Sequence, residues 1–411
     1  MVKRQEGFSL VELMITMVVF LLIIAAASGV FTSLLTQFKQ QSKIAETNIE
    51  GAIGLEILRR DLESAGYGLA WNVEVDGDGD GNDWEQLVGY CEAVDDATIT
   101  PNPATFNNVS NINPADCPAV ATAPMAVRSG NNTGVDLSAV AVVGERADYL
   151  SIKSATVATN DTARKWTYLR SGDSKNTWTP ACENLNKYPT GADTDCSTGA
   201  STENTVRVIV ISPGGSAASN TRSLITSSAT AGVFFAQYSG TANFAPPAGS
   251  TETYMIYGVN RDAGTDLRMP FNRADYFIKV PATMPSACAP NTGILYKGTL
   301  SHATGQITEL PILDCVADMQ VVFYLDTNAD GTIDTTLDSI AALTAQNIRD
   351  QVKEIRVYIL SHEGQRDASY TSAATIPVGP GGGFGRTFNL GTNLNYRWKV
   401  YTLVVRPNNL R

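Results

Sequence analysis

The sequence predicts an α+β protein: one long N-terminal helix followed by an antiparallel, β-rich globular domain with large loop insertions. Three observations carry this expectation. Phe8–Val30 is an apolar run interrupted by a single charge, Glu12. A helical period continues beyond it to about Ala65. After that, β-branched and aromatic stretches alternate with turn-forming Gly, Asn, Ser and Thr.

The apolar run comes first. As a helix it would extend roughly 34 Å, enough to cross a bilayer core of ~30 Å. Lys3 and Arg4 precede it, which places the N-terminus on the cytoplasmic side and the rest of the chain outside. A secretory signal fits poorly, because its apolar region is shorter and a small-residue cleavage site follows it. Glu12 stands out, since a carboxylate inside an apolar span costs about 2.5–3.5 kcal/mol and marks function by default. The plainer alternative is a Glu that reaches the interface or favours the positive end of the helix.

The second half of the helix is expected to bury Ala45, Ile49, Ala52, Leu55, Leu58, Leu62 and Ala65, spaced as one face. Lys39, Lys43, Glu46, Glu50, Arg59, Arg60 and Glu63 take the other face. Gly66 is placed to stop the helix, with Gly68 just beyond. Gly51 and Gly54 are expected as weak spots that allow bending.

The domain from residue 69 onward has strand candidates at Asp148–Ser154, Thr205–Ser212, Val233–Tyr238, Tyr254–Val259, Tyr276–Val280, Gly293–Tyr296, Met319–Leu325, Glu354–Ser361 and Trp398–Arg406. Ile340–Asp350 is expected as a short helix. Residues 95–135, 155–204, 213–250 and Gly379–Gly385 are loop-rich, and about 95–260 is a candidate inserted lobe.

Composition narrows the function. The 411 residues carry a net charge of -11, and only 17% are charged, against about 25% usually. An acidic chain lacks the basic stripe that nucleic acid requires. His302 and His362 are the two histidines, too few for a His-rich catalytic or zinc site, and are expected at the surface or in strands. No dinucleotide, phosphate-loop or nucleophile-elbow motif is present, so no catalytic residue and no required cofactor is assigned.

The six cysteines, Cys91, Cys117, Cys182, Cys196, Cys288 and Cys315, all follow the helix, on the side where disulfides form. Many pairings are open to six cysteines. Sequence neighbours suggest 91–117, 182–196 and 288–315. None has metal or redox CxxC spacing.

Two acidic loops are candidate calcium ligands. Asp326, Asn328, Asp330, Thr332 and Asp334 match the front of an EF-hand-like loop, with Gly331 at its sharp turn. Position twelve is Leu337, so the bidentate Glu is missing, and a hairpin turn is the alternative. Asp76, Asp78, Asp80, Asn82 and Glu85 form the second loop, with Glu85 out of place for the same pattern.

The string Gly7-Phe8-Ser9-Leu10-Val11-Glu12-Leu13-Met14-Ile15 resembles the class III signal of type IV prepilins. The resemblance implies the type IV pilin fold, cleavage by a prepilin peptidase after Gly7, N-methylation of Phe8, and an assembly role for Glu12. A charged terminal amine on a neighbouring subunit could pair with Glu12 and set register, the best-attested use of a buried charge. Leu58–Gly68, Pro311–Phe323 and Tyr396–Asn409 resemble the PilW group of minor pilins. That likeness implies partners: other minor pilins, the major pilin, an inner-membrane assembly platform and a tip adhesin. It implies an inner-membrane stage before the fibre. A type II secretion pseudopilin of the J kind is the runner-up, and a tethered extracytoplasmic enzyme the distant alternative. Residues 95–260 depart from the family's usual shorter length.

Overall fold

The computed structural model describes residues 9–73, 83–92, 94–107, 123–140, 142–173, 206–214, 222–260 and 266–410. Helix α1 runs from Leu10 to Glu63, 54 residues, so about 81 Å if straight. No proline interrupts it. Ser64 closes it and the chain turns through Gly66 at φ +80°. That left-handed conformation suits glycine. The helix therefore ends two residues earlier than its apolar period suggests.

Among the described residues the main sheet has eight strands. They are β2 (Val127–Gly130), β3 (Tyr149–Ser154), β9 (Asn272–Lys279), β10 (Gly293–Leu300), β11 (Ile307–Leu325), β12 (Thr335–Leu337), β13 (Val352–Glu363) and β16 (Arg397–Val405). Their order is β16-β13-β11-β10-β9-β3-β2, with β12 paired to β11. Every pairing in this sheet is antiparallel. In the register, Met319 faces Ile359, Val321 faces Val357 and Phe323 faces Ile355. These residues share one core with Leu55, Leu58 and Leu62 of α1. Val322, Tyr358 and Leu360 point to the opposite face. There the hairpin of β14 (Thr375–Gly381) and β15 (Phe384–Asn389) covers them with Val378 and Phe388. The alternation is the period of two that a sheet covered on both faces requires.

A second sheet contains β1 (Asn72–Val73), β4 (Trp166–Arg170), β5 (Arg207–Ser212), β6 (Ser223–Leu224), β7 (Ala236–Gln237) and β8 (Thr253–Asn260). Ile209, Ile211, Leu224 and Val259 join the main core, while Val208, Val210 and Ile256 build a core of their own. Residues 95–260 thus supply β2 and β3 to the main sheet and most of the second one.

Several expectations change. The stretch Gly379–Gly385, expected as a loop, is mostly strand: Gly379–Gly381 end β14, Phe384 and Gly385 open β15, and the chain reverses through Gly382 and Gly383 at positive φ. Val233–Tyr238 contributes only Ala236–Gln237 as strand, because a 3-10 helix begins at Tyr238. The short helix α2 spans Ala345–Gln351, where Thr344 caps it by accepting from the Asn347 N–H. β11 starts twelve residues before Met319, since Pro311, Asp314 and Cys315 break the apolar alternation without ending the strand.

The buried face of α1 is also displaced. Gly51, Gly54, Leu55, Leu58, Asp61, Leu62 and Ala65 face the domain, whereas Ala45, Ile49 and Ala52 are exposed. The cause is close approach. A Cβ at Gly54 would collide with the Ile312 carbonyl oxygen, and one at Gly51 would lie 3.2 Å from Leu313 Cδ1. The two glycines bring helix backbone against strand backbone rather than acting as points of bending.

Candidate functional site

The N-terminal part of α1 leaves the domain entirely. Its most apolar stretch has no buried residue, and the helix is long and apolar enough to cross a membrane. Leu10, Phe20, Phe31 and Phe38 all present most of their surface to solvent. A helix that is apolar on all sides requires lipid or other helices around it. At its start, the Ser9 carbonyl accepts from the N–H groups of Glu12 (3.0 Å) and Leu13 (3.1 Å). Glu12 stands exposed in this first turn, at the positive end of the helix. Gly7 and Phe8 lie outside the described residues.

The other end of α1 is held by polar contacts that the sequence pattern conceals. Asp61 is buried and receives Lys297 Nζ at 2.5 Å and the Tyr276 hydroxyl at 2.6 Å. Burial raises its carboxyl above the usual range, against the lowering pull of Lys297 and Tyr276. Asn408 donates its N–H to the Glu63 carbonyl at 3.0 Å, so the C-terminal tail closes the helix end. Arg222 lies over the Trp71 ring and donates to the carbonyls of Gly66 and Asn409, each at 3.4 Å. The one readable signal was Asp61 itself, a charge sitting at core spacing between Leu58 and Leu62.

A further buried network ties residues 83–107 to the sheet. Glu92 takes both hydrogen bonds of Lys153, at 2.7 and 2.9 Å, and one from the Tyr90 hydroxyl at 3.2 Å. Burial lowers Lys153 to about 8 despite Glu92. Arg273 grips both oxygens of Asp275 and reaches Asn107 and the Pro103 carbonyl. The side chains are shut from solvent. Their arrangement is structural pairing with no open cleft.

Asp326–Asp334 is the loop of the β11–β12 hairpin, closed by the pairing of Leu325 with Thr335. Asp326 is buried and accepts from the N–H groups of Asp330 (3.1 Å) and Gly331 (2.9 Å). Asp330 accepts from the Thr332 N–H and hydroxyl, and Asp334 from those of Thr327. The Thr332 bonds hold the Asp330 carboxyl below the usual carboxylate range, and the Thr335 side chain, with Thr327 after it, does the same for Asp334. Leu337 lies in β12 opposite Phe323, so no carboxylate closes the loop from position twelve. Asp76, Asp78, Asp80 and Asn82 lie outside the described residues, and of Glu85 only the backbone is described, in a 3-10 turn.

Cys288 and Cys315 form a disulfide, with Cα atoms 4.9 Å apart. Cys91 is disulfide-bonded as well. Cys117, Cys182 and Cys196 lie outside the described residues. His362 lies in β13 against the Cys288–Cys315 bridge, and its Nε2 accepts from the Ala289 N–H at 2.8 Å. His302 is buried in a turn, contrary to the surface-or-strand expectation, and contacts Asn272 at 3.2 Å. Burial lowers both histidines to about 4, so both are neutral at pH 7.

Residues 2–28 match the family described as the prokaryotic N-terminal methylation motif. No curated protein and no solved structure shows a significant match to the chain. The motif, the unaccompanied apolar helix and the antiparallel domain behind it together indicate a protein of the type IV pilin and pseudopilin type. Such a motif implies processing by prepilin peptidase and assembly with other pilins. It points to a structural subunit anchored in a membrane and later in a fibre.

Proposed function

We propose that this protein is a minor type IV pilin of the PilW kind, a non-enzymatic subunit that helps initiate the fibre and stays at or near its tip. It enters the inner membrane once, with its domain in the periplasm. Prepilin peptidase cuts after Gly7, and Phe8 is methylated. The supporting observation is the exposed apolar helix with Glu12 in its first turn, beneath a methylation motif. Burying that carboxylate among apolar helices demands a cation, and the terminal amine of a neighbour supplies it. Other minor pilins, the major pilin, the assembly platform and a tip adhesin are the partners of this reading.

Glu12→Ala tests it. The variant is expected to insert in the membrane normally and to disappear from sheared fibres. Wild-type incorporation would remove the argument. The methylation motif equally suits a J-kind pseudopilin. A secretion defect with normal pili in a deletion strain would select that reading instead.

Calcium at the Asp326–Asp334 loop is a second part of this proposal. Asp326, Asn328, Asp330 and Asp334 bring side-chain oxygens onto one short turn, and no Lys or Arg is paired with them among the described residues. A hard cation with oxygen ligands suits that donor set. The acidic loop at Asp76–Glu85 is proposed for the same ion on its composition alone.

A further inference from the structure

Beyond Glu12, α1 carries no charge until Lys39. Phe31, Leu34, Leu35 and Phe38 are all exposed. The Thr32 hydroxyl between them donates to the Ser28 and Gly29 carbonyls, at 3.1 and 3.0 Å, as a hydroxyl facing lipid requires. The stretch that suits lipid thus runs from Leu10 to Phe38, about 43 Å of helix. A bilayer core of ~30 Å holds that length only when the helix tilts. Lys39 and Lys43 then stand at the headgroups, and Glu46 and Glu50 follow farther out.

The domain begins at once above this level. Gly364 packs on α1, where an added Cβ would lie 2.9 Å from Ile44 Cγ1. Ile44 is about 9 Å beyond Phe38 along the helix. The headgroup layer on each side is about 5–7 Å deep. Tilt lowers the domain further, and long side chains reach the rest of the way. Loop 364–370, which follows β13, therefore borders the headgroups. Its charges are sorted by direction. The Asp367 carboxylate turns inward and accepts from the Ser369 N–H (3.0 Å), the Ser369 hydroxyl (2.6 Å) and Arg397 (2.8 Å). Glu363 is held by Lys399 at 2.8 Å and by the Tyr401 hydroxyl at 3.0 Å. Both carboxylates are nearly closed to solvent, while Arg397 and Lys399 are 43% and 49% exposed. Arg366 is exposed and donates to the Asn395 side-chain oxygen at 3.2 Å, with no carboxylate partner among the described residues. A chain of net charge -11 thus turns a cationic edge toward the bilayer.

We propose that loop 364–370 docks on an anionic bilayer surface, with Arg366, Arg397 and Lys399 of the domain and Lys39 of the helix meeting lipid phosphates. This rests on α1 being the membrane anchor before assembly. The contact is lost when the helix leaves the bilayer, so it belongs to the stage before the fibre.

The test uses the full-length chain in vesicles of phosphatidylcholine, alone or mixed with phosphatidylglycerol, that carry a nitroxide quencher on the headgroups. No described cysteine is free, so an added one takes the fluorophore. Gln365→Cys places it in the loop. Ile333→Cys places it in the β11–β12 hairpin, at the opposite end of β13, as the control. Resistance to alkaline extraction reports insertion, and retention of the Cys288–Cys315 bridge shows that each variant folds. The expected result is quenching at 365 that requires phosphatidylglycerol, with none at 333. Arg366→Gln should shift the docking equilibrium about fivefold toward the free state, and Arg366→Lys should keep it near wild type. An inserted chain whose 365 probe is unquenched, or quenched equally without phosphatidylglycerol, overturns the docking and leaves the anchor reading standing. Equal quenching at 333, no effect of Arg366→Gln, or an equal loss with Arg366→Lys also overturns it. Failure of the chain to insert overturns both.

Discussion

The Asp61 carboxylate of α1 lies 2.5 Å from the Lys297 ammonium of β10, with both side chains nearly closed to solvent. This pair, with Tyr276, fixes the helix at one height on the sheet. Removing one partner strands the other charge in the interior. Asp61→Ala is expected to cost about 3–5 kcal/mol. The double variant Asp61→Ala/Lys297→Met should recover much of that loss. Thermal unfolding of the full chain in detergent measures both. Equal destabilisation by the single and double variants would show that the ion pair is not what matters there.

Gly54→Ala should also destabilise, by about 1–3 kcal/mol, because the methyl group meets the Ile312 carbonyl. The helix-propensity gain of ~1 kcal/mol opposes this only in part. Gly29→Ala is the control, since nothing lies within 4 Å of its added Cβ. It should leave unfolding unchanged or slightly improved.

His302 and His362 predict acid sensitivity. Each is lowered to about 4 in the fold against about 6.5 when unfolded. The unfolded chain therefore binds protons first as pH falls. The stability from neutral burial is fully present above about pH 6.5 and is lost progressively down to pH 4. The loss is up to about 3 kcal/mol per histidine. His302→Gln and His362→Gln should each flatten the pH profile of the melting temperature in that window.

The Cys288–Cys315 bridge closes a loop with a sequence separation of 27. Cys288→Ser/Cys315→Ser is expected to lower stability by about 3–4 kcal/mol. Comparison of denaturant midpoints at constant slope checks this.

If the Asp326–Asp334 loop takes calcium, millimolar calcium should raise the melting temperature of the wild type and not of Asp330→Asn. Equal shifts in both proteins would assign the effect elsewhere. Asp330 is the suitable probe because its side chain is exposed, whereas the buried Asp326 supports the turn through two N–H groups.

Much of the architecture was legible because it is written in residue period. The apolar run from Phe8 to Val30 announces a helix without a domain around it, and β13 and β16 announce themselves by Val, Ile and Tyr at alternate positions. The seat of the helix was not legible. Gly51 and Gly54 look like flaws in isolation, and only the presence of the Ile312 carbonyl turns Gly54 into a requirement. Asp61 belongs to the core through a lysine more than two hundred residues away, which no local pattern encodes. The hairpin over Thr375–Asn389 was hidden because its glycines dominate a short strand signal. Of the candidate site, Glu12 was readable from its place in an apolar run.

The helix is fastened to the domain at two strands rather than one: Asp61 to Lys297 on β10, and the Glu63 carbonyl to Asn408 just past β16. Between those strands lie β11 and β13. A tensile load drawn along α1 would therefore enter the sheet at its centre, β10, and at its β16 edge, and would be shared by the three hydrogen-bonded ladders between them in shear, instead of peeling one edge strand away.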